Sequence, residues 1–82
     1  MRFLVEVALK QPPTQEIFEL LPAESAHGEQ FDASGVREAL YVSNQDVKAW
    51  QVYRAATHEE VERIVESFPL TKFCNVRITE LR

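Results

Sequence analysis

The stretch from Thr14 to Gly35, TQEIFELLPAESAHGEQFDASG, most constrains this chain. It reads as one long helix with apolar residues at Ile17, Leu20, Leu21 and Phe31. Continued in steps of three and four, the stripe runs 17, 20/21, 24, 27/28, 31, all on one face. The middle of the stripe is not apolar, for it holds Glu24, His27 and Gly28. Glu24 and His27 stand three apart and are neighbours on the helix surface. A carboxylate aimed at a core is costly unless it is paired, hydrated or protonated. Glycine inside a helix costs about 1 kcal/mol against alanine, and here it leaves a gap beside Glu24. An acid, a base and a gap describe the lining of a pocket. The alternative is that Glu24 reaches to solvent, or that Pro22 turns the stripe toward water. Pro22 allows a kinked helix, or a short helix ending near Leu21 and a second one beginning at Pro22. Thr14 suits the N-cap and Gly35 the C-terminal cap.

The remaining segments supply a sheet and a second helix. Residues 2–9, RFLVEVAL, alternate, with Phe3, Val5, Val7 and Leu9 on one side and Arg2, Leu4, Glu6 and Ala8 on the other. Gln11-Pro12-Pro13 ends this strand. Residues 37–43 and 47–55 read as two strands of a hairpin about an Asn44-Gln45-Asp46 turn. Thr57 and Glu60 form a capping box for a helix with Val61, Ile64, Val65 and Phe68 on one face, stopped by Pro69. Residues 73–81 form the last strand, with Cys74, Val76 and Ile78 on one side. The order β-α-β-β-α-β predicts an α+β, ferredoxin-like fold, a four-stranded antiparallel sheet with two helices on one face. Both faces of that sheet carry apolar residues. Ala39 and Tyr41 oppose Leu40 and Val42 in strand two; Ala49 and Tyr53 oppose Trp50 and Val52 in strand three. Two helices cover only one face, so a second subunit is expected on the other, in a sheet-on-sheet homodimer with Trp50 in the interface.

At 82 residues the chain makes a single domain of residues 1–82. A net charge of −4 without a basic stripe argues against nucleic acid. The absence of a long apolar run argues against a membrane, and the N-terminus reads as a strand rather than a signal peptide, so a cytoplasmic protein is expected. One cysteine excludes an internal disulfide. The two histidines and Cys74 lack metal-ligand spacing, and two glycines make no phosphate loop, so neither metal nor cofactor is expected. Cys74, in an apolar strand, reads as inert core.

The segments MRFLVEV, LLPAESA, FDASGVREALYV and VERIVESFPLTKFCNVRITEL, in this order and spacing, resemble the muconolactone isomerase-like family of small dimeric α/β-barrel proteins, and its bacterial branch in particular. The resemblance covers nearly the whole chain. It implies a ferredoxin-like subunit that pairs its sheet with another's as a homodimer or larger homo-oligomer, and proton movement around an unsaturated lactone without metal or cofactor. Counted back from Gly35, Glu24 falls on the glutamate these isomerases use. Elsewhere the chain departs from them. Ala39 replaces a strand-two histidine, and Val47 and Ala49 replace a tyrosine and an asparagine in strand three.

These readings converge on a cofactor-free enzyme acting by proton transfer, of isomerase, cyclase or lyase type, on a small oxygenated ring compound. Glu24 is the proton carrier, which requires a pKa raised by burial. His27 tunes it or serves as the second acid or base, or else is a surface histidine. Arg37 and Glu38 anchor a polar substrate group or stabilise the strand edge. Tyr41 and Tyr53 share a face if strands two and three pair simply, and either orient a ligand or pack the core. Gly28 and Phe31 complete the substrate lining. Glu6 is expected to pair with Arg54 across the sheet. Two other readings use the same fold: a non-catalytic small-ligand-binding or assembly module, and a cofactor-free monooxygenase with Trp50 and Tyr53 near the substrate.

Overall fold

A computed structural model describes residues 1–45 and 47–82. In chain order it contains β1 (Arg2–Leu9), α1 (Gln15–Ser34), β2 (Arg37–Val42), β3 (Lys48–Arg54), α2 (His58–Glu66) and β4 (Cys74–Leu81), with a turn of 3-10 helix at Thr71–Phe73. The strands form one antiparallel sheet in the order β2-β3-β1-β4, the ferredoxin-like arrangement expected from the pattern. The hairpin turn lies at Asn44 and Gln45, where Ser43 N–H donates to the Lys48 carbonyl at 2.8 Å; Asp46, the third residue expected in it, lies outside the described residues.

Both helix starts are set by threonine. Thr14 Oγ1 accepts from Ile17 N–H at 3.3 Å, and Thr57 Oγ1 accepts from Glu60 N–H at 3.2 Å. Glu60 reaches back to Ala56 N–H at 3.0 Å, one residue before the cap. Gly35 closes α1 in the left-handed region with φ 80°, its N–H donating to the Asp32 carbonyl. The helix is continuous through Pro22. The missing proline N–H leaves the Phe18 carbonyl without its usual helical partner, on the exposed side of the helix.

The core lies between the inner sheet face and the helices. Phe3 and Val5 of β1, Tyr53 of β3, Ala55, and Val61 and Val65 of α2 are its buried members, with Val7, Phe31, Val36, Ile64 and Ile78 packed around them. α1 turns inward Ile17, Leu20, Glu24, His27, Gly28 and Phe31, all buried or half-buried. Leu21, expected on this stripe, is 44% exposed. It falls at the margin of the arc and joins exposed Phe18 on the solvent side.

One irregularity redirects β2. Arg37 pairs with Tyr53, but Ala39 pairs with Val52, so Glu38 is an extra residue, a β-bulge. Arg37 therefore stays on the inner face. Glu38 turns outward, where it meets Arg2 at 3.0 Å and Arg54 at 3.3 Å. Past the bulge the phase is reversed, and Tyr41 lies opposite Trp50 on the outer face. The expected sharing of a face by Tyr41 and Tyr53 rests on simple pairing and does not occur. Nor does Glu6 meet Arg54: it lies opposite Trp50 and Arg77, and Arg54 pairs with Glu38. The outer face carries Leu4, Ala39, Tyr41, Trp50 and Val52, with Tyr41 65% exposed. No helix among the described residues is long and apolar enough to cross a membrane.

Candidate functional site

The polar middle of the α1 stripe is satisfied residue by residue. Glu24 Oε1 accepts from the backbone N–H of Leu70 at 2.9 Å, tying α1 to the turn that follows α2. Three residues on, His27 Nε2 lies 2.7 Å from Ser67 Oγ. The Ser67 hydroxyl donates its proton to the Ile64 carbonyl at 2.5 Å, so it can only accept from the histidine. Nε2 therefore carries the ring proton, and Nδ1 accepts from the Gln30 amide at 2.9 Å. The ring packs edge-on against Phe31 and Phe68, with centroids 5.3 and 4.8 Å away. Both nitrogens are engaged, and the imidazole works as a clasp between α1 and the end of α2.

Gly28 faces Arg37. A Cβ at position 28 would stand 2.5 Å from Arg37 Nη2, so the guanidinium occupies the place a side chain would fill. Arg37 is 9% exposed, yet its charge is well met. Nε and Nη2 donate to the two carboxylate oxygens of Asp32 at 2.6 and 2.9 Å, a bidentate pair, and Nη1 donates to Gln51 Oε1 at 3.0 Å. The same Oε1 accepts from the Tyr53 hydroxyl at 2.5 Å. Arg37 and Glu38, read together from sequence as a substrate anchor or an edge pair, point to opposite faces, as neighbours on a strand do.

The charges follow from these contacts. Burial raises the Glu24 pKa above the ordinary 4.5; the Leu70 N–H and the nearby His27 and Arg37 pull it down, but burial prevails. Arg37 holds the Asp32 carboxyl below its usual range, and Asp32 in turn raises Arg37. Burial pushes the Tyr53 phenol up to about 12, so it remains a neutral donor to Gln51. Burial also raises the Cys74 thiol, which stays protonated and unreactive near neutrality.

Glu24, Tyr53 and Cys74 line a small cavity between sheet and helices, together with Gln51, Val65 and Phe68, among others. About 20 Å³ of it is open to the centre of a water molecule, room for one water rather than a ring. Phe68 and Thr71 also line an open groove of about 520 Å³ on the other side of the turn, with Leu20, Pro69 and Lys72. The turn after α2 is thus a wall between the groove and the cavity.

Of the residues singled out from sequence, Glu24 and Tyr53 line the cavity, whereas His27, Gly28, Phe31 and Arg37 are not in its lining. Tyr41 lies on the far side of the sheet. Trp50 and Tyr53 occupy opposite faces, so no pocket within one subunit takes both. Sequence reading missed Asp32, Leu70 and Gln51. Only Gln51 left a signal, as a polar residue in phase with Tyr53 on a core-facing strand. Among the described residues no group of three or more His, Cys, Asp or Glu side chains is placed to hold a metal.

Fold and site together define a small α+β protein with a half-buried acid between its helices and sheet. The chain matches the muconolactone delta-isomerase family over residues 1–82 and belongs to it. No match was found among curated proteins. Among solved structures the chain is similar to 5-chloro-2-hydroxyhydroquinone dehydrochlorinase from Burkholderia phenoliruptrix, in complex with 2,5-dihydroxybenzoquinone. The TM-score is 0.86 at 17% identity, over 100% of this chain and 94% of that one. That likeness is one of fold.

Two stability measurements follow from the site. The folded chain favours protonated Glu24, so the charged form detracts from stability above the folded-state pKa. That loss vanishes below the ordinary value, where folded and unfolded chains both carry the proton. Glu24→Gln, which keeps an acceptor for Leu70, should melt above the wild type at neutral pH. The gap should close as pH falls below 4.5; thermal melts across pH 3–8, on the order of the carboxylate range, check this. Gly28→Ala should lower stability by about 1 kcal/mol, although the same change in a free helix raises it by about as much. In an Arg37→Met background the clash is gone, and Gly28→Ala should become stabilising. Denaturant unfolding of the four proteins decides.

Proposed function

We propose that this protein is a small-molecule enzyme that moves a proton on an oxygenated ring compound, in an isomerisation, cyclisation or elimination, with Glu24 as the proton carrier. The observation that supports this reading most is the environment of Glu24. Its carboxylate is half-buried at a cavity wall, one oxygen is fixed by Leu70 N–H, and burial raises its affinity for a proton. Family membership supports the same class of chemistry, and proton transfer of this kind needs no cofactor. His27 positions Glu24 through the clasp on Ser67, while Phe31 and Gly28, outside the cavity lining, have no direct part. Arg37 acts through Gln51 more than by direct contact, since Asp32 and Gln51 engage each of its three nitrogens. The reading requires that the turn at residues 67–71, tied to α1 by the Leu70–Glu24 and Ser67–His27 bonds, move aside to admit a ring from the open groove. Lactones, suggested by the family, and quinones such as the 2,5-dihydroxybenzoquinone bound by the dehydrochlorinase are the first compounds to try.

The test is proton exchange. With muconolactone or 2,5-dihydroxybenzoquinone in D2O, proton NMR should show deuterium entering the carbon next to a carbonyl faster with enzyme than without. Glu24→Gln should slow this by at least ~100-fold, the usual contribution of general acid–base catalysis, while the fold is kept. Ligand that binds without exchange overturns the catalytic reading and leaves a binding module.

The outer face also supports a homodimer or larger homo-oligomer. Leu4, Ala39, Tyr41, Trp50 and Val52 make an apolar centre that no helix covers, rimmed by the Arg2–Glu38–Arg54 ion pairs. Sedimentation should give a dimer or larger species for the wild type, and Trp50→Glu should shift it toward monomer by placing a charge in that centre.

A further inference from the structure

Gln51 is a buried polar residue with half of its amide accounted for. Its side chain sits on the inner sheet face, opposite Val5 of β1 and Leu40 of β2, and the residue is 8% exposed. Both of its side-chain hydrogen bonds among the described residues end on one atom. Oε1 accepts from Arg37 Nη1 at 3.0 Å and from the Tyr53 hydroxyl at 2.5 Å. A guanidinium can only donate, so the amide cannot be turned round: the reverse orientation would set N–H against N–H. Arg37 is itself fixed by Asp32 and by its fit over Gly28. The orientation of the amide is therefore dictated by a chain of contacts that begins at the end of α1.

That chain leaves Nε2, with its two N–H groups, pointing away from Arg37 and Tyr53. Among the described residues no fully buried side-chain nitrogen or oxygen lacks a hydrogen-bond partner. Nε2 therefore keeps contact with open space, and Gln51 is among the residues that line the cavity together with Glu24. An amide whose orientation is fixed and a half-buried carboxylate thus belong to residues lining the same small volume.

We propose that Gln51 is the residue that binds the carbonyl oxygen of the ring compound. The proposal rests on the proton-transfer reading of Glu24. In the step it describes, the Glu24 carboxylate forms an O–H bond with the proton of a carbon next to that carbonyl. The C–H electron pair becomes the C=C bond of an enolate, and the carbonyl π pair moves to oxygen. The negative oxygen is met by the Gln51 N–H groups, already oriented, so nothing has to reorganise as charge develops. Return of the proton from Glu24 to a different carbon of the conjugated system restores the carbonyl and leaves the carboxylate ready. Arg37 and Tyr53 are positioning residues here, since they aim the amide without touching the substrate.

The test separates Gln51 from Glu24. γ-Valerolactone and 2-methyltetrahydrofuran share a ring and a methyl group, and only the first has a carbonyl. In an NMR titration the wild type should bind the lactone about fivefold more tightly, as a made hydrogen bond predicts. The side-chain amide resonances of nitrogen-15-labelled Gln51 should move with the lactone and stay with the ether. Gln51→Glu keeps an acceptor for Arg37 and Tyr53 but removes the donors. It should lose the carbonyl preference and slow proton exchange about 100-fold. Glu24→Gln should lose exchange and keep the preference. Preference lost in Gln51→Glu while Glu24→Gln still exchanges protons would sink the Glu24 reading and leave the carbonyl site standing. A Gln51→Glu protein whose preference stays within about twofold of wild type, with wild-type amide resonances unmoved by lactone, would overturn the proposal.

Discussion

The arrangement depends on a guanidinium placed where proteins seldom place one. Arg37 lies under α1 against the inner sheet face, and taking its charge out of water is costly unless every donor finds an acceptor. Asp32 supplies two acceptors from the last turn of the helix, and Gln51 supplies one from the neighbouring strand. The contact requires a glycine at position 28. It also depends on the short Gly35 turn, which brings a residue five positions after Asp32 back beneath the helix. Helix end, strand start and central sheet are joined at one side chain. A substitution at any of these positions reaches the others through it, and the site responds as a unit.

The clasp of His27 on Ser67 and the bond from Leu70 to Glu24 do for the second helix what Arg37 does for the first. Both join α1 to the end of α2 through side chains that a hydrophobic stripe would have made leucines. Hydrogen bonds fix direction as well as distance, so two of them set both the spacing and the rotation of one helix against the other. Apolar packing alone leaves rotation freer. The buried carboxylate of Glu24 detracts from stability, while the bonds to Leu70 and Ser67 hold a cavity edge where a methyl-filled interface would have closed.

Much of this was legible in the residues. The period of three and four in α1, the alternation in β1, the threonine caps and the Gly35 stop lead to the observed elements within one or two residues. The phase of Glu24, His27 and Gly28 toward the sheet was legible too, because Pro22 does not break the helix. What could not be read was set by a single extra residue. A bulge at Glu38 has no sequence mark, and a period of two inverts completely when one residue is inserted. That insertion sends Tyr41 to the outer face. Gln51 was overlooked for another reason: an amide is uncharged and common, and only the contacts of Arg37 and Tyr53 show that its orientation is fixed. The Leu70 N–H belongs to the backbone, where side-chain identity carries no information.

The order of the strands has a consequence in time. β1 is central, and both of its neighbours lie far along the chain: β3 begins at residue 48 and β4 at residue 74. Arg2 finds its partner only at Leu81. During synthesis, therefore, the first strand leaves the ribosome with nothing to pair with. The hairpin of β2 and β3 can close early, but one edge of β1 stays open until the last strand is free. Phe3 and Val5, the most deeply buried residues of β1, spend that interval exposed. The charged residues at Arg2 and Glu6, alternating with them, keep the waiting strand from becoming an uninterrupted apolar run.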